Sequence, residues 1–181
     1  MLKQNGIWIH DLGNDAKHIL HRATLEDNVN IVGLLLHSLQ AGEYKDTVIE
    51  MLLAQDEERR TAWHSAVYFS SVRVLEKLWE CAKEKLTKEE INNELLLATD
   101  REGRTAWHMA AQCGESEILQ KVWEWAKEKL TTEEINNKLL LATDRKGRTV
   151  WHTAAFFGIP EIFEEVWDWA KETLTTEEIN N

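Results

Sequence analysis

The hydrophobic positions between residues 116 and 130 recur at helical spacing. Ile118, Val122 and Trp125 form one apolar stripe. Further apolar residues lie beside this stripe: Leu119, Trp123, Ala126 and Leu130. Because residues three and four apart share one face of an α-helix, the pattern predicts an amphipathic helix that starts near Ser116. A similar pattern returns from Pro160, a residue suited to the first turn of a helix.

Two shorter helices are predicted around this one. Thr105 follows turn residues at 100–103 and can cap a helix that ends near Gly114. Thr131 and Glu134 fit a capping box, in which each side chain bonds the backbone N–H of the other residue. A short third helix is therefore predicted at 131–141.

These three helices belong to a unit that repeats every 44 residues. The register is set by equivalent tryptophans and histidines: Trp63, Trp107 and Trp151; His64, His108 and His152; and Trp79, Trp123 and Trp167. A diverged earlier copy places His21 in the same register. The sequence thus predicts one domain at 14–181, with units at about 14–55, 56–99, 100–143 and 144–181. An N-terminal extension at 1–13 remains, and we expect Ile7, Trp8 and Ile9 to pack on the first unit.

The last two complete motifs carry a family resemblance. Their shared residues are Asp100, Gly103, Thr105, His108, Ala110, Ala111, Gly114, Glu117 and Ile118, and then Asp144, Gly147, Thr149, His152, Ala154, Ala155, Gly158, Glu161 and Ile162. This pattern resembles the ankyrin repeat, over about residues 14–181. The family's Pro-Leu pair is replaced by Ala-Trp or Val-Trp, and the unit exceeds the family's usual length of about 33 residues. The resemblance implies an all-α, ankyrin-type helical solenoid, here with an extra short helix in each repeat.

Net charge, hydrophobicity and cysteine content restrict the classes of partner and the cellular location that are expected. The formal net charge of −11 disfavours attraction to nucleic acid or to an anionic membrane, so we expect a protein partner. There is no apolar run of membrane-spanning length, so no membrane insertion is expected. Cys81 and Cys113 occupy non-equivalent repeat positions, which favours thiols in a reducing compartment. A cytoplasmic or nuclear location is therefore expected.

The repeated histidines and tryptophans are interpreted as structural. The resemblance implies that Thr105 and His108 hydrogen-bond to brace the turn and the adjoining repeat. Neighbouring repeats stack at about 8–10 Å, too far apart for their histidines to share a metal ion. A metal site at His10, His18, His21 and His37 is a weaker alternative. Eight of the nine tryptophans are in register with the repeat and are expected to pack in the core.

No motif for catalysis is present. The chain lacks a Gly-rich phosphate loop, a Gly-x-Ser-x-Gly elbow and a Cys-x-x-Cys pair. Paired carboxylates such as Glu133 and Glu134 fall in first helical turns, which the helix dipole favours. We therefore predict no catalytic residue, no cofactor, no metal and no enzymatic activity.

Candidate binding residues lie where the repeats differ. One variable pair ends the first helix of each repeat, and by resemblance it faces the concave groove. Its members are Leu25 and Glu26, Tyr68 and Phe69, Gln112 and Cys113, and Phe156 and Phe157. Basic turn tips form a second candidate surface at Arg101, Arg104, Arg145 and Arg148. The alternatives are that the aromatic rings turn inward or cover the extra helix, and that the turn charges solvate exposed turns and pair locally with nearby acidic residues.

The C-terminal repeat keeps apolar residues where a capping repeat is usually polar, at Ile162, Val166, Trp167, Trp169 and Ile179. We expect either a longer array or a second subunit to cover this face. The predicted function is a non-enzymatic protein–protein interaction scaffold. The alternatives are a homotypic module that self-associates through the C-terminal face, and a targeting or regulatory arm of a larger enzyme or effector.

Overall fold

The computed structural model describes residues 15–38 and 45–179, and within them all regular secondary structure is helical, with no strand. The prediction of an all-α chain is confirmed at this level. Contacts between residues divide the chain into two compact units after Ile91. The predicted extension at 1–13, including Ile7, Trp8, Ile9 and His10, lies outside the described residues.

The first unit contains the helices of two repeats. They are α1 (Asp15–Leu25), α2 (Val29–Ser38), α3 (Lys45–Leu53), α4 (Ala62–Tyr68), α5 (Val72–Lys85) and α6 (Lys88–Glu90). Helix α1 packs against α2, α3 and α4, and α5 packs against α2, α3 and α4. The third helix of the first repeat, α3, has nine residues, whereas α6 has three.

The second unit contains the helices of the next two repeats. Its helices are α7 (Ala106–Cys113), α8 (Ser116–Lys129), α9 (Thr132–Ile135), α10 (Val150–Phe157), α11 (Pro160–Thr173) and α12 (Thr176–Ile179). π-Helical segments follow α6 and α9, at Ile91–Leu96 and Asn136–Leu140. Helix α7 packs against α8 and α10, and α10 packs against α11.

The predicted helix boundaries are confirmed in the second unit. Helix α7 begins after its N-cap Thr105 and ends at Gly114, which has φ 75°. Helix α8 begins at Ser116, and Pro160 is the first residue of α11. Local capping chemistry therefore sets these ends, as the sequence pattern indicates.

The short third helix starts where its capping box predicts. The Thr131 N–H donates to Glu134 Oε2 at 3.0 Å, and the Glu134 N–H donates to Thr131 Oγ1 at 3.2 Å. The backbone then widens into the π-helical segment, in which the Leu141 N–H donates to the Asn136 carbonyl at 2.8 Å. The side-chain amide of Asn136 donates to the Thr173 carbonyl at 3.0 Å, so it satisfies a backbone group at the C-terminal end of α11.

The register tryptophans form the centre of the packing. Trp63, Trp79, Trp107 and Trp123 are buried, as predicted. In the second unit the Trp107 and Trp123 ring centroids are 5.5 Å apart, and Trp169 packs 5.5 Å and 4.9 Å from them. The remaining register tryptophans are half-buried: Trp125, Trp151, Trp167 and Trp169.

Candidate functional site

The repeated histidines link one repeat to the next. The Thr105 N–H donates to His108 Nδ1 at 3.4 Å, and Thr105 Oγ1 lies 3.0 Å from the same nitrogen. Because Nδ1 accepts, the ring proton is on Nε2, which donates to the Arg148 carbonyl at 3.2 Å. In the first unit His21 Nε2 lies 2.7 Å from the Arg60 carbonyl. The bracing role expected for Thr105 and His108 is confirmed.

A buried aspartate organises each turn. Asp100 Oδ1 accepts the N–H groups of Glu102 and Arg104 at 2.9 Å and 2.8 Å. The Arg104 guanidinium donates to the other oxygen through Nε at 2.9 Å and Nη2 at 2.7 Å. Asp144 and Arg148 repeat this arrangement with nearly equal distances. These arginine side chains are about one-fifth exposed, 21% in each case.

Electrostatics keeps this turn carboxylate ionised. Burial alone would raise the pKa of Asp144, but hydrogen bonds from the Arg148 side chain and from the Arg148 and Lys146 backbones outweigh it. The net result is a pKa below the usual value of an aspartate. Asp56 has a lowered pKa through the same competition between burial and its bonds with Arg60. Arg104 and Arg148 thus stabilise the turns through their bonds to Asp100 and Asp144, and only part of each arginine side chain is exposed to solvent.

Two aromatic pairs lie at the ends of their helices and face solvent. Tyr68 and Phe69 are 41% and 48% exposed, and Phe156 and Phe157 are 71% and 42% exposed. Each pair is arranged edge to face at 81°, with centroids 5.1 Å apart in the first pair and 5.2 Å in the second. We call these four residues the aromatic pairs. All four residues are exposed to solvent, and none of them is buried in the core.

One ring is held by a turn arginine. The guanidinium carbon of Arg148 lies 5.2 Å from the centroid of the Phe156 ring. The same guanidinium is bonded to Asp144, and this ion pair fixes its position beside the Phe156 ring. A largely exposed phenylalanine is thereby oriented at the end of α10.

The third repeat replaces this contact with a polar one. Gln112 Oε1 accepts from Arg104 Nη1 at 2.9 Å. Cys113 is half-buried, and burial is the largest cause of the raised pKa of its thiol. The predicted binding residues Gln112 and Cys113 therefore present a small polar surface at this repeat.

The other two turn arginines, Arg101 and Arg145, are exposed. The Arg145 backbone N–H donates to the Glu102 carbonyl at 2.8 Å, which ties the turns of the third and fourth repeats together. The predicted basic turn tips thus consist of two exposed arginines and two arginines engaged with aspartates.

The histidines of the first repeat have separate surroundings. The His18 and His21 ring centroids are 6.4 Å apart, and His21 is bonded to the Arg60 carbonyl. Among the described residues, no group of three or more His, Cys, Asp or Glu side chains has an arrangement that could hold a metal ion.

Sequence reasoning missed exposed apolar side chains on α2. Ile31 and Leu34 are 42% and 50% exposed, although the sequence placed them in an apolar run like that of a buried helix. Leu25, at the variable position of the first repeat, is 44% exposed. The run Ile-Val-Gly-Leu-Leu-Leu has no polar residue to mark its outer face, so the sequence carries no signal for this exposure.

Comparison with known proteins gives no family assignment. No protein-family model matches the chain, and no curated protein matches it. In the described part of the chain no helix is long and apolar enough to span a lipid bilayer.

Proposed function

We propose that this chain is an ankyrin-type helical solenoid that acts as a non-enzymatic scaffold for protein binding. The hydrogen bonds between successive repeats support the solenoid part of the proposal. His21 and His108 each reach a backbone carbonyl of the next repeat, 39 and 40 residues further along the chain. Such nearest-neighbour contacts are the means by which repeat proteins gain stability.

The exposure of Phe156 is the single observation that carries the binding proposal. Its ring is 71% exposed, yet it is oriented by Arg148 and Phe157. Leaving a large apolar ring in water forgoes the free energy of burial, and oriented exposed aromatics are typical anchors of protein interfaces. Arg145 is exposed in the turn that precedes α10, so the same repeat also presents a cationic group of the kind found in an interface rim.

The polar groups of the core support a binding role over a catalytic one. His108, Asp100 and Asp144 are engaged in bonds that shape the turns and link repeats. Catalytic groups need access to a substrate, whereas these side chains are buried. We further propose a cytoplasmic or nuclear location, because Cys81 and Cys113 are both present as thiols.

The binding proposal is tested by removing the aromatic surface without removing the fold. Proteins captured by the whole chain are compared with those captured by a double variant, F156A/F157A. The affinity of each specific partner is then measured with purified components. We expect the double variant to weaken binding by about tenfold or more, because interface aromatics carry much of the binding energy.

The third repeat suggests a control for folding. The variant F156Q/F157C copies the Gln112 and Cys113 pair, which the same repeat position already accommodates. It should retain helicity and melting temperature while losing the partner. A variant at exposed α11 residues, D168A/K171A, should retain the partner. Full retention of every specific partner by both Phe variants would overturn the proposal.

A second candidate function is self-association through the last repeat. Trp151 and Trp167 are half-buried, whereas the equivalent Trp107 and Trp123 are fully buried against Trp169 of the next repeat. A second copy of the chain could cover these rings. Sedimentation over a range of protein concentrations tests this function, and a monomer at every concentration would exclude it.

A further inference from the structure

A groove of about 820 Å³ lies between α2 and α5 in the first unit. Its floor is apolar and includes Leu36 from α2 and Cys81 from α5, which are 6% and 8% exposed. Gly33 lines the groove beside the ammonium group of Lys77, which lies 3.4 Å from the point where a Gly33 Cβ would stand. The two helices thus leave an open slot with an apolar base and a charged edge.

The second unit has an equivalent groove between α8 and α11, and there two tryptophans of the chain occupy part of it. Trp123 and Trp169 stack in it with centroids 4.9 Å apart and ring planes 14° apart. Ser116 Oγ and Gln120 Nε2 both donate to Glu165 Oε1, at 2.5 Å and 3.0 Å, so a polar bridge crosses between the helices. The space that remains is about 430 Å³.

The repeat register shows why the two grooves differ. Trp123 and Trp169 correspond to Leu36 and Cys81, while Ser116, Gln120 and Glu165 correspond to Val29, Gly33 and Lys77. Each of these differences removes either an aromatic ring or a member of the polar bridge. In the first unit, therefore, α2 and α5 flank the equivalent slot, and the two positions that carry indoles in the second unit hold Leu36 and Cys81 instead.

We propose that the groove between α2 and α5 binds an aromatic side chain, a tryptophan by preference, that is presented by a partner protein. The second unit supplies the reason, because indole rings fill the equivalent slot there. The Cys81 sulfur and the Leu36 methyl groups form the floor under such a ring, and sulfur–aromatic contacts are favourable. Lys77 can place its ammonium group over the face of such a ring, as Lys127 does for Trp123, with its Nζ 5.7 Å from the centroid.

The chemistry of Cys81 suits an apolar floor. Burial raises the pKa of its thiol to about 11, so the group is neutral at physiological pH. The open side of the groove favours a side chain that extends from a protein, because only its ring must leave water. This site is separate from the aromatic pairs, so its test does not depend on the binding role proposed for them.

The experiment titrates the whole chain with N-acetyl-tryptophanamide, which mimics a tryptophan within a peptide, and follows binding by calorimetry. We expect saturable binding at one site per chain, about tenfold or more tighter than N-acetyl-leucinamide. The variant C81W places in the groove the residue found at the equivalent position of the second unit. It should weaken binding by about tenfold or more.

A second variant covers the case in which C81W does not fold. G33Q introduces the residue that stands at Gln120, and its nearest neighbour is the flexible end of Lys77, which can move. It should also weaken binding. The matched control L34Q changes the adjacent, exposed residue of α2 outside the groove, and binding should be unchanged.

The proposal would be overturned if the wild-type chain showed no saturable binding. It would also be overturned if both C81W and G33Q bound as tightly as the wild-type chain. Tighter binding of free tryptophan than of N-acetyl-tryptophanamide would assign the groove to a small molecule. Binding that appears only in the variant W8A would assign the groove to a tryptophan of the same chain.

Discussion

His108 Nε2 donates a hydrogen bond to the carbonyl oxygen of Arg148, 3.2 Å away and 40 residues further along the chain. The same ring accepts the Thr105 N–H at Nδ1. One neutral imidazole therefore closes the first turn of its own helix and reaches the turn of the next repeat. Protonation of Nδ1 would remove the acceptor of the Thr105 N–H, so closure of the helix turn depends on the neutral ring.

Stability should fall as the pH drops below about 6.5, the ordinary pKa of a histidine. Burial lowers the pKa of His108, while the Arg148 carbonyl and the carboxylates of Asp144 and Asp100 oppose that shift without reversing it. The unfolded chain then binds more protons than the folded chain in this window, so acid favours unfolding. The free energy of unfolding, measured in urea from pH 7.5 to 5.0, should depend less on pH in H108N than in the wild-type chain. Equal slopes would contradict the prediction.

Equivalent tryptophans should differ in their contribution to stability. Trp107 is fully buried against Trp123 and Trp169, whereas Trp151 is half-buried. We expect W107A to lower the free energy of unfolding by about 3–5 kcal/mol, because it removes contacts and leaves a cavity. W151A should cost clearly less. Denaturant unfolding of the two variants measures the difference, and a larger loss in W151A would contradict this account of the packing.

Two helix-ending glycines provide a second matched pair. Gly114 and Gly158 have φ values of 75° and 68°, a backbone region that costs an L residue about 1–2 kcal/mol. A Cβ at Gly114 would also stand 3.1 Å from Ile159 Cδ1, whereas nothing lies within 4 Å at Gly158. G114A should therefore lower the melting temperature more than G158A does. Equal effects would show that Ile159 moves aside freely.

The contribution of the capping box at Thr131 to the stability of the third helix should be measurable by itself. Replacing Thr131 with Ala removes the oxygen that accepts the Glu134 N–H and should cost about 0.5–2 kcal/mol. The neighbouring E133Q changes an exposed residue outside the box and should leave stability nearly unchanged. Hydrogen exchange of the amides in α9 and in the segment Asn136–Leu140 reports the local effect. An equal increase in exchange in both variants would exclude the cap as its cause.

The same capping box has a predicted pH dependence. The backbone hydrogen bond from Thr131 lowers the pKa of Glu134 below the ordinary pKa of a glutamate, about 4.3. The contribution of this carboxylate is therefore present above that pH and is lost as the pH falls through the lowered pKa. Exchange of the α9 amides should increase in this acidic range, and E134Q should remove the change. A transition of the same size in E134Q would contradict the assignment.

Local chemistry was readable from the sequence. The 44-residue period can be read directly from equivalent residues along the chain. The cap at Thr105, the helix end at Gly114 and the capping box at Thr131 depend on residues within a few positions of one another. Side chain and backbone groups at such short separations meet whenever the helix forms. The structure confirms these predictions for that reason. The continuation of the third helix as a π-helix was not predicted, because its Asn136 bonds a carbonyl 37 residues away.

Tertiary structure decided whether each candidate binding residue is exposed, buried or bonded to another side chain. The sequence presents Arg101, Arg104, Arg145 and Arg148 as one class, yet two of them are bonded to buried aspartates. The open groove in the first unit was also not predicted from the sequence. It arises where small residues, Gly33 on α2 and Cys81 on α5, come together, and these helices meet only in the folded chain. Whether a side chain is buried, paired or exposed depends on the neighbouring repeat that packs against it. The sequence alone therefore determined the repeat and its caps, while packing between repeats decided which aromatic and basic groups are exposed to solvent.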